Sequence, residues 1–82
     1  MNEYVLFIYF FKEVDVDLHK NLCIEVDEKF DECVFHYIDK EESELKVCFK
    51  SYDEIDVVQK IVDGITEDYS FIVEKNSLIS VS

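Results

Sequence analysis

Carboxylates dominate the residues of this chain that could do chemistry. Glu25, Asp27, Glu28, Asp31 and Glu32 crowd one short window, and Asp39, Glu41, Glu42 and Glu44 crowd the next. Asp15 with Asp17, and Asp53 with Glu54 and Asp56, form smaller groups. Paired carboxylates can act as general acid and base, or can hold a hard cation. Among twenty acidic residues some pairs must be adjacent by chance. Neither small group carries the glycine and terminal glutamate of a calcium loop. His19, His36, Cys23, Cys33 and Cys48 are the softer ligand types, but they lack the close pairs from which zinc sites are usually built. There is no local Ser-His-Asp or Cys-His motif. A chain with one glycine and no arginine has neither a glycine-rich phosphate loop nor a guanidinium to cradle phosphate. No catalytic residue, metal or cofactor is expected, and the chain does not read as an enzyme.

The charge itself is the stronger signal. Eight lysines oppose the twenty acids, giving a formal net charge of −12 over 82 residues. Direct binding to nucleic acid, nucleotides or anionic membranes is disfavoured by such a field. A basic partner is favoured. Solubility alone calls for a net charge of magnitude only about 2–8 in a small domain. The chain is nonetheless globular in composition, at 49% hydrophobic with seven Phe and five Tyr, which a disordered acidic tail would lack. One domain spanning residues 1–82 is expected.

The elements follow from periodicity. Tyr4 to Phe11 is an uninterrupted β-branched and aromatic run and predicts a central strand. It is too short to span a bilayer and follows Glu3 rather than a basic segment, so a reducing cytosolic compartment, that of a bacterial host, is expected. Residues 14–30 support two readings. Leu18, Leu22, Val26 and Phe30 suit a helix beginning near Asp15 or Asp17, whereas Val14, Val16, Leu18 and Leu22, Ile24, Val26 suit two short strands. The helix is preferred because the strands would need a tight turn at His19-Lys20 without glycine. Residues 33–39 and 44–50 predict a hairpin, with Leu45, Val47 and Phe49 inward. Ile55, Val58, Ile61, Val62 and Ile65 predict a helix over 53–65, capped by Ser51 or Asp53 and closed near Gly64. Tyr69–Val73 and Leu78–Val81 predict two strands, with a turn over 74–77 between them.

The order is then β-α-β-β-α-β plus a C-terminal strand, an α+β chain of ferredoxin-like arrangement with both helices on one face of an antiparallel sheet. The alternative is a mostly-β sheet with a single helix at 53–65. The other sheet face is expected to carry Phe7, Tyr9 and Phe11, and an open aromatic face of this kind suits a homodimer or another partner. Carboxylates at i, i+2 on a strand lie about 6.8 Å apart, comparable with successive backbone phosphates. Asp27, Glu28, Asp31 and Glu32 at one end of residues 33–39, and Asp39, Glu41, Glu42 and Glu44 at the other, predict an acidic ridge about 23 Å long. A ridge of that length suits the nucleic-acid channel of a basic protein. In size and charge the chain resembles phage-encoded anti-defence proteins, among them anti-CRISPR and anti-restriction inhibitors that act as nucleic-acid mimics. It also resembles immunity proteins or antitoxins that neutralise nuclease toxins. The resemblance implies a partner that is a basic nucleic-acid-binding protein or complex.

Overall fold

Tyr4, Leu6, Ile8 and Phe10 are buried while Glu3, Val5, Phe7 and Tyr9 point the opposite way, so the N-terminal aromatic run forms a strand with two unlike faces. The computed structural model describes residues 1–13, 15–39 and 43–81, with residues 33–38 described by their backbone alone. The elements are β1 (Asn2–Phe10), α1 (Val16–Lys29), β2 (Glu32–Asp39), β3 (Glu44–Ser51), α2 (Ile55–Glu67) and β4 (Val73–Ser80). The class is α+β. The sheet is antiparallel throughout, in the order β2-β3-β1-β4.

Within this ambiguous stretch the helix reading holds over Val16–Lys29, which removes the mostly-β alternative. Asp15 supplies the N-cap, its carboxylate accepting from the Leu18 amide at 2.9 Å. His19, Leu22 and Val26 are the buried face of α1, and Phe30 is buried just past its end. Val58, Val62 and Ile65 of α2 are buried with them against Leu6, Ile8, Leu45, Val47 and Phe49 of the sheet. Phe49 stacks on Phe30 at 4.1 Å and on Tyr4 at 5.6 Å, while the His19 ring meets Phe10 edge-on at 5.1 Å.

Four expectations about the elements are corrected. β1 ends at Phe10, because its pairing with β4 shifts register between Tyr9 and Phe10. Phe11 therefore lies beyond the strand, 65% exposed, with its N–H donated to the Ile72 carbonyl. There is no pair of strands at the C-terminal end. Residues 69–72 form a turn, and β4 runs unbroken through the polar stretch expected to turn. Pairing along β1 from Tyr4 to Phe10 overrides the local polarity, and Asn76 is held from behind by Gln59, Asp63 and Thr66 of α2.

α2 starts later than expected, after Glu54, which makes no side-chain cap. The Ser51 hydroxyl instead accepts from Asp53 in the preceding turn. The helix also continues to Glu67, so Gly64 lies inside it and does not terminate it. Its φ is not positive, and a Cβ built there meets nothing within 4 Å. Gly64→Ala should therefore stabilise the domain by about 0.5–1 kcal/mol. At roughly 4–8 °C per kcal/mol for a domain of this size, calorimetry should show a Tm a few degrees higher. An unchanged or lower Tm would mean that the glycine is needed for packing.

Candidate acidic interface and the open sheet face

The two helices cover one side of the sheet, and most of the carboxylates travel with them. Asp17, Glu25, Asp27 and Glu28 lie on α1, and Asp56, Asp63 and Glu67 on α2. Glu13, Asp15, Asp31, Glu32, Asp53, Glu54 and Asp68 sit within three residues of a helix end. The reason is local as well as global. Strand interiors are filled by aromatic and β-branched residues, so the charge collects where the backbone leaves the sheet.

The expected ridge falls into two groups. Asp27 and Glu28 are exposed in the last turns of α1, and Asp31 and Glu32 are exposed beside them where the chain enters β2. Asp31 is also structural, because its Oδ2 accepts the Tyr52 N–H at 3.1 Å and ties the α1–β2 junction to the end of β3. Asp39 and Glu44 are register partners at the other end of β2, both half-buried. Glu41 and Glu42 lie outside the described residues. The eight residues of β2 separate the two groups by about 24 Å of strand rise.

The exposed sheet face is different in character. In β1, Phe7 and Tyr9 stack at 6.3 Å, with Lys46 Nζ 5.8 Å from the Phe7 ring centre and Lys75 Nζ 5.1 Å from that of Tyr9. Val5 lies between Cys48 and Ile79 in register, and Lys50 Nζ approaches Glu3 Oε1 at 3.7 Å. On β1, β3 and β4 this face thus carries three lysines against Glu3 and Glu44. Phe7 and Tyr9 were legible from alternation. The lysines that cover them were not, because only the register brings Lys75 beside Tyr9.

A groove of about 520 Å³ runs between the helices, lined by Glu25, Glu28, Lys29, Ile61, Gly64, Ile65 and Asp68. Asp68, just past the end of α2, lines this groove together with Glu28 of α1. Sequence reasoning missed the groove as a site. Its one signal was the glycine set inside an otherwise regular helical stripe. Glu25 Oε2 is buried there and has no hydrogen-bond partner among the described residues.

Tyr69 stands beside the same carboxylates. Burial is the main cause that pushes its phenol above the ordinary value of 10.0, and the charges of Glu25 and Asp68 add to it. The sign follows directly. A phenol held neutral in the folded state favours folding below pH 10, and that contribution is lost as pH rises through its elevated pKa. Ultraviolet titration should contain a component from Tyr69 that ionises late. Tyr69→Phe should remove that component, and Asp68→Asn should bring it earlier. A late phase of undiminished amplitude in Tyr69→Phe would refute the assignment.

Among the described residues no group of three or more His, Cys, Asp and Glu side chains is placed to hold a metal ion. Cys23 and Cys48 are half-buried thiols on different elements. No described helix is long and apolar enough to cross a membrane. Compared with known protein families, curated proteins and solved structures, the chain finds no match.

Proposed function

We propose that the protein is a small acidic inhibitor, acting in a bacterial cytosol, that binds a basic nucleic-acid-processing protein of a defence system and occupies its nucleic-acid site. The observation that carries this reading is the distribution of charge on the fold. Asp27, Glu28, Asp31 and Glu32 at one end of β2, with Asp39 and Glu44 at the other, are two acidic groups spaced on a scale that a nucleic-acid channel accepts. Their spacing is set by a frame whose element and strand order support a ferredoxin-like reading. Binding, rather than catalysis, is the role that such a surface serves. The half-covered Phe7–Tyr9 face is a second contact surface of the same protein, suited to a further copy of the chain.

Tagged protein should recover a basic nucleic-acid-binding protein from a bacterial lysate that contains a defence complex, and excess duplex DNA should compete it away. The association rate should fall by at least tenfold between low and high ionic strength, with a smaller change in dissociation. Recovery of no such protein would overturn the reading. Recovery of a complex that also holds its DNA would show that the nucleic-acid site is not the one blocked.

A further inference from the structure

We infer that the open sheet face binds a second copy of this chain end over end, each copy seating its Phe7–Tyr9 rings in a hollow at the far end of the other's β1. The inference rests on the second contact surface named above and not on the acidic groups of the inhibitor. Knob and hollow lie on the same face of the same strand. The knob is the Phe7–Tyr9 stack, with Lys46 and Lys75 against its rings. The hollow holds about 400 Å³, and Val5, Cys48 and Val81 line it beside the Glu3–Lys50 ion pair.

One symmetry operation brings the two together. Glu3, Val5, Phe7 and Tyr9 alternate evenly along the open face of β1. A two-fold axis lying between the sheets and across the strands therefore turns Phe7 onto Val5 of the second copy, and Tyr9 onto its Glu3. By register, Lys50 is level with Glu3 and Glu44 with Tyr9, so the same operation sets Lys50 opposite Glu44 of the second copy, twice over. Lys75, level with Tyr9, arrives at Val81 of the second copy, whose N–H is bonded to the Glu3 carbonyl. Rings thus meet a hollow and cations meet carboxylates.

Two copies of a chain at −12 repel, and on this face the repulsion is slight. Across the four strands it carries Lys46, Lys50 and Lys75 against Glu3, Glu32, Asp39 and Glu44, so three positive charges against four leave it one of the twelve net negative charges. The carboxylates of α1 and α2 stay on the outer sides of the pair. Only at the β2 edge does Glu32 come opposite Asp39 of the second copy, a repulsion that salt screens. Four strands about 4.8 Å apart and eight residues long make a flat face of about 500 Å². Two such faces reach about 1,000 Å², where specific interfaces begin, which suits a dimer in exchange with its monomer.

Analytical ultracentrifugation of the purified chain tests this with no other protein present. The wild type should pass from monomer to dimer as concentration rises. Its dissociation constant should fall at least threefold from low to high salt, opposite to the response of binding to a basic partner. Phe7→Thr with Tyr9→Thr removes the knob, and Val5→Glu charges the floor of the hollow. Each variant should weaken self-association at least tenfold and still melt cooperatively when dilute, since none of these side chains belongs to the buried core. Mixed together, the two should associate at least threefold more tightly than either alone, because the intact knob of the Val5→Glu chain meets an intact hollow. A face that is merely sticky gives no such rescue. Lys50→Glu should also weaken the dimer, and adding Glu44→Lys to the same chain should restore it, a check that leaves every apolar side chain in place. A wild type still monomeric at about 1 mM in high salt, a mixture no tighter than its components, or a charge swap without recovery would overturn the end-over-end dimer. None of these results touches the recovery of a basic partner, so the inhibitor reading stands or falls by its own experiment.

Discussion

Phe49→Ala should cost about 3–5 kcal/mol and leave a large share of the chain unfolded at physiological temperature. The side chain is 1% exposed and lies in a three-ring stack with Phe30 at 4.1 Å and Tyr4 at 5.6 Å. Removing it opens a cavity and also ends two aromatic contacts, each worth about 0.5–1.5 kcal/mol beyond area burial. Domains of this size hold roughly 4–12 kcal/mol in total, and self-repulsion at −12 works against the compact state. Urea titration should show the midpoint falling by about 2 M or more at a slope near 1–2 kcal/mol/M. Tyr52→Ala, at a position 71% exposed, is the matched control and should change stability by no more than about 0.5 kcal/mol. Equal midpoints for the two variants would show that the stack is not what holds the helices to the sheet.

That stack also shows what the sequence makes legible. Phe49 and Tyr4 are read from strand alternation, and Phe30 from the i, i+4 rows of α1, because both periods survive in the residues themselves. The α1 cap at Asp15 is similarly local. What fails is whatever depends on a partner far along the chain. Lys75, Asn76 and Ser77 look like a turn until β1 offers its hydrogen bonds and α2 offers Asp63 and Gln59. Gly64 looks like a terminator because a glycine near the end of an apolar stripe usually is one, and nothing local says that α2 extends to Glu67. The candidate site follows the same division. Membership of the acidic groups is written in the sequence, whereas the shared groove that Glu28 and Asp68 line depends on how two helices cross the sheet.

Charge reversal can separate steering from contact. Lysine at Asp27, Glu28 and Glu32 moves the net charge from −12 to −6, since each reversal shifts it by two units. Asp31 is spared, because reversing it would also remove the acceptor for the Tyr52 N–H. Lysine at Glu13, Glu67 and Glu74, all exposed and away from these acids in sequence, makes the same change in net charge. Long-range steering depends on the total field, so both triples should slow association by roughly tenfold at low salt. Only the first triple removes charges from the proposed contact. It should also speed dissociation, for a further loss of about 1–3 kcal/mol in affinity, as expected when charged pairs at an interface are broken. Circular dichroism should show both variants folded, since exposed positions tolerate substitution. Surface-binding kinetics against the basic partner then decide the matter. Identical dissociation rates for the two triples would leave only a diffuse field and remove the case for an edge that lies in a nucleic-acid channel. Faster dissociation from the second triple alone would move the contact away from the end of α1.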